Sequence, residues 1–316
     1  MNHPRRPLAL LPTPLQRVPR GSTRLPPAPL SRAVLGGMYL KRDDLSGFGL
    51  AGAKARALEY LLGDALSCGA DVLVTGGSPG SNFIAGAALA ARVCGVECEV
   101  LVSGTALERV PVTLQMVTCS GAKVLYTGSD RAELDKLVDE HAARLRDEGR
   151  APYAIPRGGA TPVGALGFAH AAEELAAQLT FADDVVVVLP TGSGASIAGL
   201  LAGRAIIGAR WRIYGVSVSR PLPQIRGEIL GLVARMGFSA VTDWELIDAT
   251  GPVDDRDVDT MLLALRGEGV LLDAKYGTKA LAAVAGLRAR KETAPIVLWH
   301  TGGLPGALDL LARAAT

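Results

Sequence analysis

The chain has 316 residues, 49% of them hydrophobic, with 33 basic and 31 acidic side chains and a formal charge of +2. That length buries a substantial core, either as two subdomains or as one large α/β unit. The balanced charge gives no footprint for nucleic acid or an anionic membrane surface, and no apolar run approaches the roughly 18 residues of a membrane span.

At the N-terminus two arginines, Arg5 and Arg6, precede an apolar stretch that Pro12 and Pro14 interrupt. It lacks the continuous apolar segment and small-residue cleavage site of a signal peptide. We therefore expect a cytoplasmic protein whose first 21 residues form an extended arm over the surface. Met38 to Leu40 reads as a short strand, followed by the charges Lys41, Arg42, Asp43 and Asp44 and a loop punctuated by Gly47, Gly49 and Gly52. From Ala53 the spacing of Leu58, Leu61, Leu62 and Ala65 predicts a helix with one apolar face. Residues 71–75 (DVLVT) form a buried strand that empties into Gly76-Gly77-Ser78-Pro79-Gly80-Ser81-Asn82, and an Ala-rich helix follows over 83–93. Strand 98–103, helix 112–118, strand 123–127 and a charged helix over 131–146 complete three repeats, an alternation that means parallel strands with crossover helices.

A short strand, PYAIP, then leads to the Gly- and Pro-rich bend 157–164 and a helix over 166–179. Residues 185–189 (VVVVL) suit a sheet centre covered on both faces. They end in Pro190-Thr191-Gly192-Ser193-Gly194-Ala195-Ser196 at a helix start. WRIYGVSVS gives another strand, with a helix over 222–236, an irregular stretch to Asp255 and a helix over 258–266. VLLD reads as a strand before the helix at 278–288, and PIVLWH (295–300) as the last strand, with Thr301-Gly302-Gly303 opening the terminal helix.

Cys68, Cys94, Cys98 and Cys119 fit neither a disulfide framework nor a zinc pattern. Gly95 ends the helix between Cys94 and Cys98, and His3, His141, His170 and His300 are scattered, so no metal is expected. Ligands of open α/β sheets collect outside the carboxyl ends of strands. Three such junctions are rich in Gly, Ser and Thr: 75–82, 190–196 and 300–303. In TGSGAS the glycines let backbone N–H groups approach an anion, and Thr191, Ser193 and Ser196 add hydroxyls. The same turn serves equally for close packing. It is neither a P-loop nor a full dinucleotide fingerprint, so a small phosphate-bearing cofactor fits better than ATP or NAD. Ser81 and Asn82 read either as a helix cap or as a grip on a substrate carboxylate and a cofactor oxygen. Tyr276 either stacks on a planar ring or fills a core edge. Lys54 sits in a first helical turn, where cations are disfavoured. It is either a solvated lysine or an amine held near neutrality for Schiff-base chemistry.

Seven blocks, in order, resemble the fold-type II pyridoxal-phosphate enzymes of the D-cysteine desulfhydrase and 1-aminocyclopropane-1-carboxylate deaminase group. They are LPTPL (11–15), YLKRDDLSGFGLAGAKARALEYLLGDAL (39–66), TGGSPGSN (75–82), IPRGGATPVGALGF (155–168), LPTGSGASIAGL (189–200), LLDAKYGTKAL (271–281) and HTGGLPG (300–306). The resemblance implies two open, twisted, mostly parallel sheets with helices on both faces. It implies a large cofactor-binding domain of residues 1–56 and 164–316 and a small α/β domain of 57–163. It implies that Lys54 carries an aldimine with pyridoxal 5'-phosphate, that Ser81 and Asn82 flank cofactor and substrate, and that Thr191, Gly192, Ser193, Gly194, Ala195 and Ser196 hold the phosphate. Tyr276 would lie beside the ring and Thr301 at the pyridine nitrogen. The family is usually a homodimer.

The departures concern the reaction. Ser78, Pro79 and Gly80 stand where the family commonly has Ile-Gln ahead of Ser-Asn, Phe83 replaces a polar residue and Ala85 an arginine. Gly277 stands where the deaminases have glutamate and the desulfhydrases threonine, and residues 248–255 carry no tyrosine. The expected activity is β- or γ-elimination and deamination of a small amino acid, with Lys54, Ser81 and Tyr276 as the reacting side chains. The alternatives are a β/γ-replacement synthase, a true cyclopropane deaminase, and a cofactor-binding protein with little turnover.

Overall fold

The computed structural model describes residues 3–18 and 38–314. Strands β1 (Leu15–Arg17) and β2 (Tyr39–Arg42) are followed by α1 (Lys54–Ser67), β3 (Val72–Gly77), α2 (Asn82–Val93), β4 (Glu97–Val102) and α3 (Val112–Cys119). Next come β5 (Lys123–Tyr126), α4 (Leu134–Asp147), β6 (Pro152–Ile155), α5 (Pro162–Gln178), β7 (Val186–Thr191), α6 (Ala195–Ile207), β8 (Arg212–Ser217) and α7 (Leu222–Arg235). The chain ends with β9 (Trp244–Asp248), α8 (Asp255–Glu268), α9 (Gly277–Ala289), β10 (Ile296–His300) and α10 (Leu304–Ala314). One sheet has six strands in the order β1-β2-β10-β7-β8-β9, the other four in the order β5-β4-β3-β6. Every pairing is parallel except β1 with β2.

The strands explain the layers through their period of two. In β7, Val187 and Leu189 face one core with α5, α6 and α7, while Val186 and Val188 face the other with α9. In β10, Val297 and Trp299 join the first core, and Ile296 and Leu298 the second. In β3 the split is Leu73 on one side and Val72 and Val74 on the other. Strands apolar on both faces can only lie between helices, as parallel crossovers place them. Helices α5 and α6 approach closely because Gly199 and Gly203 leave room. A Cβ at either would lie 2.1 or 2.3 Å from a backbone oxygen of α5.

Three expectations change. The stretch before Asp255 contains β9, which pairs with β8 in parallel; its apolar Trp244 and Leu246 lie among polar neighbours that mask the pattern. VLLD is not a strand: Val270 and Leu272 pack into a core, but residues 270–273 join neither sheet. The N-terminal arm does not merely cross the surface. Thr13 is fully buried, Leu8 and Ala9 donate their N–H groups to Glu59, and β1 extends the six-stranded sheet. Residues 1–2 and 19–21 of that arm lie outside the described residues.

The charges at the end of β2 and just beyond it are not a solvated face. Lys41 and Asp43 are completely buried, with Arg56 beside them. Arg56 donates from Nε and Nη2 to the two Asp43 oxygens, both at 2.8 Å, and from Nη1 and Nη2 to Glu174 at 2.9 Å. Thr13 and the Trp299 indole also donate to Asp43, both at 2.8 Å, and Lys41 pairs with Glu174. Burial alone would raise the Asp43 pKa, but Arg56 and the donated hydrogen bonds hold it below the ordinary carboxylate range. Glu174 behaves likewise, burial being outweighed by Arg56 and Lys41. Two cations and two carboxylates therefore neutralise each other where the arm, β2, α1, α5 and β10 meet.

Removing one member of such a cluster leaves a buried charge uncompensated, which costs about 3–5 kcal/mol. Asp43→Asn is expected to lower the free energy of unfolding at pH 7, read from urea titration, by that much. Carboxylates depressed in the folded state contribute fully above their unfolded pKa of about 4, and the contribution fades as pH falls through the folded value. Wild-type stability should therefore drop below pH 4, and more steeply than in Asp43→Asn; parallel acid profiles would contradict the assignment.

Candidate active site

The loops after β3, β7 and β10 converge with the start of α1 on one cavity. Its walls include Lys54, Gly77, Ser81, Asn82, Thr191, Gly192, Ser193, Gly194, Ser196, Tyr276 and Thr301. Residues far apart in sequence thus meet because parallel strands place all their carboxyl ends on the same side. Of the candidates read from sequence, Ala195 differs: its side chain packs into the core with Ile197 and Ala198, leaving its backbone N–H at the helix start.

Lys54 is the first residue of α1, after a loop held tightly to the β10 loop. Ala53 donates its N–H to the Thr301 carbonyl at 3.0 Å. A Cβ on Gly52 would lie 2.4 Å from that same oxygen, and Gly52 has φ of +57°, so only glycine fits. Lys54 makes no ion pair or side-chain hydrogen bond among the described residues. Burial pulls its pKa below the usual lysine value, against the weaker opposing pull of the Asp273 and Asp43 carboxylates. Between the two local readings of this lysine, the geometry favours the amine poised near neutrality over the solvated one.

The loop 191–196 begins at the end of β7 and turns into α6 at Gly194, whose φ of +86° is left-handed. A Cβ there would also lie 2.9 Å from Ile229 Cγ1. The turn aims the unpaired N–H groups of the α6 start at the cavity, an arrangement suited to an anion. Arg220 supports it from behind, donating to the Gly192 carbonyl at 3.0 Å. Gly158 closes one side: a Cβ on it would lie 2.8 Å from Ser193 Oγ.

Tyr276 borders the same loop, its hydroxyl 3.4 Å from where a Gly192 Cβ would lie. Burial raises its pKa, so the phenol stays protonated. Asp273 orients it by accepting the N–H groups of Lys275 and Tyr276 at 3.1 and 2.7 Å, and that of Gly277 at 3.1 Å. His300 shapes the β10 loop: Nε2 donates to the Leu271 carbonyl at 3.1 Å, leaving Nδ1 to accept from Gly302 N–H at 3.3 Å. Burial lowers the His300 pKa, consistent with that neutral tautomer.

Sequence reading missed Arg131, Arg157, Asp273 and Lys275, which also line the cavity. Asp273 was legible only as the end of VLLD. Arg131 falls in the charged helix expected over 131–146 and Arg157 in the Gly- and Pro-rich bend 157–164, and nothing local marks either as a cavity residue. Asn82 Oδ1 is buried with no hydrogen-bond partner, a polar end that asks for a donor from outside the protein. A free amine, an N–H-lined glycine turn, an aromatic ring and an orphaned amide fit a planar aldehyde bearing a phosphate, and hence pyridoxal phosphate.

The comparisons with known proteins agree. The family model described as pyridoxal-phosphate dependent enzyme matches residues 7–302. A protein of Pyrococcus abyssi named "Putative 1-aminocyclopropane-1-carboxylate deaminase" is 35% identical over 93% of this chain and 90% of its own. A D-cysteine desulfhydrase of Salmonella newport is 31% identical over 96% and 94%. A crystal structure of an ACC deaminase homologue superposes with a TM-score of 0.89 at 32% identity, covering 99% of this chain and 96% of that one. A pyridoxal 5'-phosphate-dependent aspartate racemase shares the fold alone, at 19% identity and a TM-score of 0.66. With one family spanning nearly the whole chain and relatives above 30% identity matched end to end, this chain belongs to the fold-type II pyridoxal-phosphate dependent enzymes.

Proposed function

We propose that this enzyme eliminates a β- or γ-leaving group from a small amino acid and releases ammonia and a keto acid, as a D-cysteine desulfhydrase does. The observation that carries the reading is the unpartnered Lys54 amine in the same cavity as the glycine turn 191–196. Bound pyridoxal phosphate supplies an electron sink for negative charge at the substrate Cα. The chain's own residues then have separate tasks. Lys54, with its lowered pKa, would be the covalent anchor for the cofactor and would accept the Cα proton. The 191–196 turn holds the phosphate, Asn82 and Ser81 orient cofactor and substrate, and Tyr276 covers the ring. Thr301, which also lines the cavity, would offer the cofactor ring a neutral hydroxyl and no carboxylate, which suits eliminations with short-lived carbanions.

Two features argue for elimination over cyclopropane opening. Gly277 brings no side chain where the deaminases carry glutamate, and its N–H is taken by Asp273. Residues 248–255 supply no tyrosine. A second reading, replacement by an added nucleophile, draws on Phe83. This buried ring lines the cavity beside Asn82, where the family has a polar residue, and it disfavours water there. Incubation with O-acetylserine and a thiol separates the two: keto acid alone supports elimination, a thioether adduct supports replacement. We further propose a cytoplasmic homodimer whose protomers divide into units 57–163 and the remainder. Light scattering should then give about twice the 32.7 kDa chain mass; a monomer would refute the dimer.

Loaded protein should absorb at roughly 410–420 nm from general cofactor chemistry, and Lys54→Ala should lose both that band and keto-acid release. A colourless loaded wild type would remove the basis for the reading. Gly194→Ala should destabilise the protein by about 1–3 kcal/mol, the cost of left-handed strain at a non-glycine residue, and shed cofactor on dialysis. Gly227→Ala, in α7 with nothing within 4 Å of the added methyl, serves as the control.

A further inference from the structure

The cavity carries more positive charge than its walls neutralise. Lys54, Arg131, Arg157 and Lys275 line it, against the one lining carboxylate, Asp273. Arg157 is matched by Asp135, to which its Nε and Nη2 donate at 3.0 and 2.7 Å. Arg220, behind the glycine turn, pairs with Glu228 at 2.6 Å. Asp273 has both oxygens engaged by backbone N–H groups. Lys54 is the proposed covalent anchor. Arg131 and Lys275 remain, and neither has a carboxylate partner among the described residues.

These two cations come from different parts of the fold. Arg131 stands in the short turn between β5 and α4, on the four-stranded side. Lys275 precedes α9 on the six-stranded side, its Nζ 5.8 Å from the Tyr276 ring centroid. They repel one another: after burial, the Arg131 charge is the next cause holding the Lys275 amine below its usual range. Two like charges turned into one cleft raise each other's energy unless an anion lies between them. The amino acid's own carboxylate already has the Ser81–Asn82 junction. The cofactor phosphate already has the glycine turn.

We propose that Arg131 and Lys275 together hold a second acidic group on the substrate. The substrate class is then an amino acid with an anionic side chain (carboxylate, sulfonate or phosphate), not a neutral one. This rests on the reading of the cavity as a pyridoxal-phosphate site for an amino acid, and it narrows that reading. An ammonium and a guanidinium from two walls suit a multivalent oxyanion better than a hydroxyl or thiol.

The test uses the loaded enzyme and follows the cofactor absorbance during titration with matched pairs: aspartate against asparagine, and O-phosphoserine against serine, in both D and L forms. The anionic member of at least one pair should bind about tenfold or more tightly than its neutral mate, as expected for a charge-assisted contact. That ratio should shrink as salt rises and fall toward one in Arg131→Gln and in Lys275→Gln. Arg131→Lys should keep part of it. Lys275 is the more exposed of the two as a whole residue, so its variant keeps the test open if Arg131→Gln folds poorly. Equal binding within both pairs in the wild type would overturn the inference while leaving the amino-acid site intact. Loss of the cofactor band in Arg131→Gln would instead assign the cations to the cofactor phosphate and also overturn it. If no amino acid of either kind changes the spectrum, the underlying reading of the site falls as well.

Discussion

The structure depends on a neutral knot of buried charge. Arg56 and Asp43, with Glu174 and Lys41, join β2, α1 and α5, while Thr13 brings in the N-terminal arm and the Trp299 indole brings in β10. Ionic groups are costly to bury one at a time and tolerable only when every partner is in place. Once assembled, the knot therefore admits little adjustment. Arg56 lies two residues beyond Lys54 on the same helix, and Trp299 two residues before Thr301 on the same strand end. The ionic cluster thus fixes both the reactive amine and the loop opposite it, although none of its members lines the cavity.

The same logic explains why the Lys54 amine is usable. A lysine at a helix start meets the positive end of the dipole, and here burial adds to that penalty on the charged form. Among the described residues the carboxylates that pull the other way, Asp273 and Asp43, are engaged elsewhere: one by three backbone N–H groups, the other by Arg56. An amine with no available counter-ion favours its neutral, nucleophilic form. The knot and the Asp273 turn are structural devices, yet by engaging their acids with other donors they leave burial as the larger influence on the Lys54 amine.

How much of this was legible in the sequence depended on the range of the interactions involved. The alternation of strands and helices, the glycine turns and the position of Lys54 follow from local periodicity and backbone demands, and the fold agrees with them nearly element by element. The errors share a cause. β9 was hidden because Glu245 and Asp248 dilute its apolar pattern, and VLLD looked like a strand because its apolar residues fill a core without pairing. The arm was read as superficial because nothing near Thr13 announces that Asp43 and Glu174, 30 and 161 residues away, would bury it. Arg131 and Arg157 escaped for the same reason: a cation becomes a cavity residue only through the crossing of distant loops.

That distinction bears on what a family resemblance can carry. The proposed cradle for the cofactor rests on backbone geometry at Gly52 and Gly194, whose left-handed φ and tight contacts exclude other residues, so it persists legibly in sequence. On the proposed reading substrate choice is set differently, by a few side chains that reach the cavity from separate elements, here Phe83, Arg131 and Lys275. Their combined character is one apolar ring and two cations with no carboxylate partner among the described residues. A neutral thiol would meet no partner for either cation, whereas an acidic side chain would satisfy both and relieve their mutual repulsion. On that proposal the electrostatics of the cleft would discriminate among substrates more strongly than the shared fold does.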